Sequence, residues 1–457
     1  MNNLLRARRR AALLLAIVLP LLRLARASAQ EENEAGYRRE LYQEDKDRIR
    51  VDTDSFGFGV KLSDHVHLRG EVVLDAISGA TPTGAPPQTK WPFPSYNDYY
   101  ASALRQSTGI QFNQYLNENV IYADAGYITY AQLTNDATAF AHNTAPTIAT
   151  NSANGSYNAL INNPKYRSTQ VPAVPMHDRR TAFSLQLPLN FGIHALTPAL
   201  SYSEENDYIS WGGALNYSIA LNNKNTTFSL GWAHNADRVL DDLRVWRDKT
   251  TDEGFLGVVQ LLTPKSYVTL NCTFGSERGY LSDPYRGVMA LLNFPQLDPA
   301  DAGLLPEKRP GQRTKQIVYV SWNQFVTPLH GAAELSYRFY HDSYGIFSHT
   351  VQLNWHQKIG RQLVVSPMFR YSRQSAAYFY SVMVSDFNHL PAAYSSDYRL
   401  SDLQTFAAGL NLSWRVHKYV SLDAGYLRYV MQGLDGVTSP SAYPSANVYT
   451  LGLRAWF

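Results

Sequence analysis

Three observations predict an all-β fold for this chain, a transmembrane antiparallel up-and-down β-barrel of sixteen strands. The last eleven residues, 447–457, alternate between two kinds of side chain and end on an aromatic residue. Segments of roughly ten residues with the same period of two recur along the chain. The connections between them alternate between tight turns and long polar loops. This sorting is typical of a barrel with short periplasmic turns and long extracellular loops.

The last strand predicts how the barrel wall meets its surroundings. Its large apolar side chains share one face and its small or polar side chains share the other, as expected of a wall between lipid and water. A carboxy-terminal phenylalanine resembles the signal that the bacterial outer-membrane assembly machinery reads. We therefore expect the barrel assembly machinery to be a partner during biogenesis, and the assembly signal to comprise Tyr449, Leu451, Leu453 and Phe457.

The first 29 residues have the pattern of a secretory leader. Four arginines at positions 6, 8, 9 and 10 precede an apolar run at 11–22, and Ala27-Ser28-Ala29 fits an A-x-A cleavage site. We therefore expect a cleaved signal peptide at 1–29, a single barrel domain at 30–457 and a location in the bacterial outer membrane. No stretch beyond the leader approaches the roughly 18 consecutive apolar residues of a spanning helix.

The composition excludes several other classes of protein. The formal charge of +3 includes the six arginines of the leader, so the mature chain has a charge of −3 and no nucleic-acid-binding balance. Cys272 is the single cysteine, so no disulfide can form within the chain. Aromatic residues make up 13% of the chain, with 31 tyrosines, which fits aromatic girdles at both membrane interfaces.

The number of strands follows from the positions of the termini. Fifteen strands are recognisable from Asp52 onward. Both ends of such a barrel lie in the periplasm, so the strand number is even. Tyr37–Gln43 is the candidate for the missing first strand. Fourteen or eighteen strands stay open, because the segment 77–177 has room for a hairpin around Val120–Tyr130.

The segment 77–177 is the largest irregular part of the sequence. It carries nine prolines, which exclude a simple succession of strands. The run 91–100 is too aromatic for a disordered linker. Loops of this length are usually either functional or disordered. We expect this long loop insertion to form either a folded cap or an inward-folded plug.

Nine charged side chains fall on the inward face of the wall. Sixteen strands enclose a lumen wide enough for water, where mixed charges would orient polar solutes. The alternative is that these groups pair with each other or with loop residues and pack the interior, at little cost in a polar cavity. The candidates for lining the pore are Arg69, Glu71, Asp75, Glu334, Arg338, Arg370, Arg415, Asp423 and Arg454.

Four short motifs lie at strand ends on the loop side: DAISGATP at 75–82, YSEENDY at 202–208, NTTF at 225–228 and GYLSDPYR at 279–286. Together they resemble a family of uncharacterised bacterial outer-membrane β-barrel proteins, filed as a domain of unknown function. The resemblance implies the barrel and its location but no activity. The motifs are either structural corners or a common loop-side vestibule formed by Asp75, Glu204, Asp207, Asp283, Tyr285 and Arg286.

The functional prediction is a porin-like passive channel for small polar solutes. The rival is a plugged barrel that acts as a binding or assembly scaffold for a periplasmic or surface partner. Motifs of common hydrolases, phosphate loops and metal sites are missing from the sequence, so we expect no enzyme, no cofactor and no metal. A hydrolase assembled on the barrel wall is the lower-ranked alternative, because adjacent strands can bring serine, histidine and a carboxamide together without a motif. Outer-membrane lipid is the expected surroundings.

Overall fold

The computed structural model describes residues 33–82, 173–291, 302–384 and 390–457. Short 3-10 helices lie at Asp45–Asp47, Thr327–Leu329, Tyr398–Leu400 and Pro440–Ala442. The strands are β1 (Glu34–Glu44), β2 (Ile49–Lys61), β3 (His67–Pro82), β4 (Ala173–Gln186), β5 (Leu189–Phe191), β6 (His194–Glu204), β7 (Tyr208–Leu221), β8 (Thr226–Leu240), β9 (Trp246–Thr263), β10 (Ser266–Gly279), β11 (Gly287–Leu291), β12 (Ala302–Pro306), β13 (Gln312–Val326), β14 (Gly331–Asp342), β15 (Phe347–Ile359), β16 (Leu363–Gln374), β17 (Met383–Val384), β18 (Leu403–His417), β19 (Val420–Gly433) and β20 (Ser445–Trp456).

The strands close into an antiparallel barrel. Strand β1 pairs with β2 on one side and with β20 on the other, so the sheet has no free edge. Strands β4 and β5 both pair with β6 and form two halves of one barrel strand. Strands β11, β12 and β17 form a separate small sheet. The barrel therefore has sixteen strands, which confirms the predicted number, and the predicted first strand Tyr37–Gln43 lies within β1.

The two ends of the described barrel meet at one seam. The Asn33 N–H donates to the Phe457 carbonyl at 3.1 Å, and the Phe457 N–H donates to the Asn33 carbonyl at 2.9 Å. Both termini of the sheet therefore lie at the same end of the barrel, as an even number of strands requires.

The longest described connections all lie at one end of the barrel, although that end also has short connections such as 205–207 and 343–346. Tight turns occupy the end at which the seam lies, called here the turn end: 62–66, 192–193, 222–225, 264–265, 327–330, 360–362 and 418–419. The long described connections 280–311, 375–402 and 434–444 lie at the opposite end, called here the loop end.

Strands extend further at the loop end than the sequence pattern indicated. The polar sequence of 234–252 predicts a long connection, but this segment is mostly strand, because β8 continues to Leu240 and β9 begins at Trp246. Polar cross-strand pairs stabilise the extended ends of β8 and β9, such as His234 and Asp252, whose side chains are 2.8 Å apart. Because these residues are polar, the sequence of the segment resembles that of a loop. Likewise, residues 77–82 and 173–177 pair within β3 and β4. Residues 83–172, including the proposed hairpin around 120–130, lie outside the described residues.

Apolar side chains face outward from this barrel. Leu200 is 67% exposed, Trp211 is 63% exposed and Leu451 is 64% exposed, and such residues recur at alternate positions along most strands. The buried hydrophobic clusters of the described residues lie instead in the loops and at their strand junctions. An apolar outer wall around a polar interior is the arrangement of a barrel that meets lipid. No helix in the described part of the chain is long and apolar enough to cross a membrane.

Gly79, near the loop end of β3, has a backbone conformation that favours glycine. Its φ is +117°, and a Cβ there would lie 1.6 Å from the Arg48 carbonyl oxygen. We predict that Gly79→Ala lowers the stability of the barrel by about 1–3 kcal/mol, because the backbone must shift to relieve the contact. Thermal unfolding in detergent checks this, with Gly213→Ala as control, since a Cβ at Gly213 meets nothing within 4 Å. Equal unfolding temperatures for the two variants would contradict the prediction.

Candidate functional site

The described loops at the loop end pack together into a folded unit, called here the cap: 280–291, 302–311, 375–384, 390–402 and 434–444. The small sheet β12–β11–β17 belongs to it. Its three apolar clusters draw on all of the long described connections and on neighbouring wall residues. Their buried members are Tyr344, Ile346, Ala377, Phe379 and Leu400, then Tyr398, Leu403, Ala442 and Tyr443, then Val288, Val384 and Tyr394. The segment 77–177, for which a cap or an inward-folded plug is predicted, lies outside the described residues from 83 to 172, so that prediction stays open beside this cap.

A buried carboxylate lies at the centre of the cap. Asp397 is 1% exposed, and its side chain forms ion pairs with Arg399 at 2.5 Å and Arg309 at 2.7 Å. Arg286 approaches Asp397 at 3.9 Å. Burial opposes ionisation of Asp397, but the charges of Arg399, Arg286 and Arg309 outweigh it and lower the pKa of this carboxyl below its usual range. Asp397 is therefore a fixed negative charge that holds three arginines in place.

Glu307 is the second buried acid of the cap. Its carboxylate lies 2.7 Å from the Arg309 guanidinium, and it accepts hydrogen bonds from the Ser395 hydroxyl and the Asp283 N–H. Burial raises the pKa of Glu307, and the nearby charge of Asp397 raises it further, although Arg309 acts in the opposite direction. The acid and its partners come from both cap loops, so this network joins 280–311 to 375–402.

Arg286 connects the cap to the far side of the barrel mouth. It follows the ninth barrel strand, β10, and its guanidinium donates to the Thr81 hydroxyl on β3 at 2.9 Å. The guanidinium also lies over the ring of Tyr398, 5.5 Å from the centroid. Tyr285 reaches the connection between β6 and β7 by donating its hydroxyl hydrogen to Asp207. The cap therefore crosses the mouth rather than standing on one side of it.

A group of three carboxylates adjoins the cap at this point. Ligand oxygens of Asp178, Glu205 and Asp207 all lie within 4.8 Å of one another. Arg180 approaches Glu205 at 3.6 Å and Asp75 at 3.4 Å. Burial raises the pKa of Glu205, and the charge of Asp178 raises it further. Carboxylate oxygens are the ligand type that Ca²⁺ prefers, but Arg180 already supplies positive charge here.

The predicted vestibule residues divide into two groups. Asp75, Asp207, Asp283, Tyr285 and Arg286 lie in or beside the network just described. Glu204 does not, because it shares the outer face of β6 with Leu200, and it accepts a hydrogen bond from Tyr202 at 3.0 Å. Its neighbour Glu205 occupies the inward position instead. The network also contains five residues that lie in no recognisable motif and that the sequence does not reveal: Asp178, Glu307, Arg309, Asp397 and Arg399. Glu205 lies in the motif at 202–208, but the prediction named its neighbour Glu204.

The lumen below the cap holds a cavity of about 690 Å³. Four of the predicted pore-lining residues contribute to its wall: Arg69, Glu71, Asp423 and Arg454. Small and polar side chains such as Ser184, Gln186 and Asn411 complete much of the lining. The turn-end half of the barrel is therefore a polar space with charges of both signs.

The other predicted pore-lining residues lie at different heights of the inner wall. Glu334 and Arg338 alternate on β14 with Leu335 and Tyr337, which are exposed on the outer face. Arg370 alternates in the same way with the exposed Phe369 on β16. Contacts of the remaining members include Asn354 to Glu334 at 3.2 Å, Arg180 to Asp75 at 3.4 Å and the Arg415 guanidinium over Trp456 at 5.1 Å. Some inward charges are thus paired, whereas Arg338 forms no ion pair within the described residues.

The closed barrel, with its apolar outer wall and polar lumen, assigns this chain to the class of outer-membrane β-barrel proteins. The folded cap is an addition to that architecture. Within that class, the chain belongs to the family of proteins of unknown function DUF3570, whose model matches residues 11–245 and 240–443. No curated protein matches the chain.

Solved outer-membrane barrels are similar to the chain in fold only. A bacterial polysaccharide outer membrane secretin has 8% sequence identity and a TM-score of 0.43, with 94% of this chain and 100% of that chain covered. The outer membrane protein opdK from Pseudomonas aeruginosa has 9% identity and a TM-score of 0.39, with 93% and 99% covered. The siderophore receptor PirA from Pseudomonas aeruginosa has 10% identity and a TM-score of 0.35, with 93% and 63% covered. The chain thus spans less than two thirds of that receptor.

Proposed function

We propose that this protein is a passive channel of the bacterial outer membrane for small polar solutes, with the cap as a constriction at the loop end. The observation that carries the proposal is the lumenal cavity of about 690 Å³, lined by Arg69, Glu71, Asp423 and Arg454. Charges of both signs on one wall orient dipolar solutes and replace part of their hydration. Ionisable groups that face a water-filled cavity cost little.

The location of the channel rests on the sequence as well as on the barrel. The leader at 1–29 has the features of an export signal, and the outward apolar wall needs lipid around it. Assembly by the barrel assembly machinery and insertion into outer-membrane lipid are parts of this proposal.

Liposome swelling tests the channel. Folded protein in liposomes should admit neutral sugars and amino acids at rates that fall with solute size. Asn411→Trp places a large side chain in the cavity wall, and we predict that it slows swelling roughly two- to fivefold by narrowing the pore. Leu410→Trp is the control, because Leu410 is exposed on the outer face of the same strand. No swelling by folded wild-type protein would exclude a passive channel.

The first rival is a plugged barrel that binds a periplasmic or surface partner. The observation in its favour is the cap, whose contacts cross the mouth from Arg286 to Thr81. A plugged barrel predicts folded protein without swelling activity in liposomes. Partner capture by the same folded protein would then support the scaffold.

The hydrolase alternative has one candidate pair on the lumenal wall. The His356 ring nitrogen Nδ1 and the Ser366 hydroxyl are 2.9 Å apart on neighbouring strands. Among the described residues, His356 has no contact with a carboxylate that would orient its imidazole as a general base. A lipid or peptidoglycan turnover assay with calcium, compared between wild type and Ser366→Ala, tests the pair. If neither wild type nor Ser366→Ala shows any turnover, the hydrolase alternative is excluded.

A further inference from the structure

A pocket of about 360 Å³ lies between the cap and the inward faces of β13–β16. Four arginines contribute to its lining, Arg309, Arg313, Arg338 and Arg399, against one lining carboxylate, Asp397. The remaining polar wall includes Tyr340, Ser348 and Gln374. The pocket is separate from the larger lumenal cavity, with which it shares no lining residue.

Three of these arginines are fixed by buried acids. Arg313 forms an ion pair with Asp342 at 2.5 Å, while Arg309 and Arg399 share Asp397. Asp342 is 2% exposed, so the carboxylate that orients Arg313 lies beneath the surface of the pocket. Guanidinium groups held in this way lose little further freedom when they bind a ligand.

Arg338 differs from the other three. It occupies an inward position of β14, between Tyr319 on β13 and Thr350 on β15, and neither neighbour carries a negative charge. Its guanidinium lies 5.8 Å from the ring centroid of Tyr340, and it forms no ion pair with any acid in the described ranges. A positive charge without a carboxylate partner therefore faces this pocket.

We infer that the pocket binds a small oxyanion with two or more acidic oxygens, of the phosphate or polycarboxylate class. Planar guanidinium forks match the oxygen geometry of both groups, and charge-assisted hydrogen bonds are the strong ones in such sites. Arg338 would supply the charge that no protein carboxylate neutralises, while Arg309, Arg313 and Arg399 complete the cradle. This inference goes beyond passive passage of solutes, because binding is measured without any current or flux.

Calorimetric titration of the folded, full-length protein in detergent tests the site, with inorganic pyrophosphate and citrate as separate probes. Arg338→Gln removes the unpaired charge and should weaken binding about tenfold or more, the loss expected for a charge-assisted contact. Arg361→Gln is the matched control, because Arg361 lies in the turn between β15 and β16 at the opposite end of the barrel. It should bind as wild type does.

Each outcome of the titration decides the inference. Preferential binding of pyrophosphate identifies a phosphate site, and preferential binding of citrate identifies a carboxylate site. No binding of either probe to wild type, or equal affinities of wild type and Arg338→Gln, would overturn the inference even if the barrel conducts. If Arg338→Gln does not fold, hydrogen exchange of wild type is compared with and without the probe. Slower exchange at residues 396–400 with the probe would support the site, and unchanged exchange would overturn the inference.

A second, independent observation concerns the outer wall. Five outward-facing side chains of β1 and β2 form a charged surface, called here the β1–β2 patch: Tyr37, Arg39, Arg50, Asp52 and Asp54. Arg39 is opposite Leu451 on β20 in the strand register, so both point to the same, outer face. The side chain of Arg39 is 54% exposed.

The β1–β2 patch lies at the height of the apolar belt. Arg39 is opposite Asp54 in the register of β1 and β2, and Asp54 is opposite Leu74 on β3. Apolar leucines therefore flank this charged row on both sides. An arginine on a lipid-facing wall is destabilising unless another surface covers it.

Pairing within the patch covers its charges only in part. Arg39 reaches Asp52 at 3.2 Å, Arg50 reaches Asp52 at 2.8 Å and the Tyr37 hydroxyl donates to Asp54 at 2.6 Å. Two positive and two negative side chains make the patch self-complementary under a two-fold axis. We propose that a second copy of this chain covers the patch, with Arg39 of each copy facing acids of the other.

Cysteine cross-linking in native membranes tests this contact. In a Cys272→Ser background, Leu41→Cys places a thiol on the outer face of β1. Val320→Cys places one on the outer face of β13, on the far side of the barrel, as control. The proposal predicts a cross-linked dimer from Leu41→Cys alone. Equal cross-linking at both positions, a cross-link to a different protein, or none at Leu41→Cys would overturn it.

Discussion

Asp397→Asn is expected to loosen the cap while leaving the barrel closed. The substitution removes the one charge that Arg399 and Arg309 share, and both guanidinium groups are held at 2.5 and 2.7 Å from it. Breaking a buried ion pair by removing one partner costs about 3–5 kcal/mol. Hydrogen exchange of the folded protein should therefore accelerate in the cap loops 280–291 and 395–402. Exchange of the barrel strands should stay slow.

Asp402→Asn is the matched control for this experiment. Asp402 lies five residues further along, and its ion pair with Arg373 at 3.8 Å is partly exposed. Surface pairs of this kind contribute about 0–1 kcal/mol, so cap exchange should change little. Equal exchange rates in the cap of wild type and Asp397→Asn would contradict the central role of Asp397.

The lowered pKa of Asp397 also predicts that the stability of the cap depends on pH. Because the pKa of Asp397 is lower in the folded protein than in the unfolded chain, its ionised form stabilises the cap above the ordinary aspartate pKa. This contribution is lost as the pH falls below about 4 towards the folded pKa. Exchange in the cap, corrected for the intrinsic rate, should accelerate in this range for wild type. Asp397→Asn should show a smaller pH dependence.

Deletion of Phe457 is expected to abolish assembly of the barrel. The residue closes the seam through two backbone hydrogen bonds with Asn33, and its ring is exposed on the outer face beside the turn end. Removing it takes away both bonds and the terminal aromatic group that we expect the assembly machinery to read. The heat-modifiable, folded form of the protein should disappear from outer-membrane fractions.

Phe457→Tyr is the control for the deletion, because it keeps the backbone bonds and an aromatic ring. It should assemble at a level close to that of wild type. Folded, membrane-inserted protein at wild-type levels after deletion of Phe457 would refute the proposed role of the last strand.

The barrel could be predicted from the sequence because its wall follows a local rule. Side chains alternate with a period of two, so Leu451 and Leu453 fall outward and Gly452 and Arg454 inward without knowledge of any distant contact. The tight turns can likewise be predicted from the residues next to them in the sequence. The first strand was the least distinct, and Arg39 on its outer face explains why its apolar pattern is weak.

The cap could not be predicted in the same way. Asp397 meets Arg309 and Arg286 across 88 and 111 positions of sequence, and no local pattern encodes such contacts. Glu204 illustrates a smaller limit, because a shift of one residue exchanges the two faces of a strand. Glu204 is predicted to line the vestibule, whereas in the structure Glu205 occupies the inward position beside Asp178 and Asp207.

Single-channel recording in planar lipid bilayers tests passive passage through the capped barrel most directly. Folded wild-type protein should produce discrete conductance steps, because the lumen below the cap is polar and lined by charges of both signs. Asp397→Asn should produce larger or longer openings, since the cap that narrows the mouth is loosened. Bilayers that stay electrically silent with both folded proteins would contradict a passive channel, and steps of identical size and duration would contradict a constriction formed by the cap.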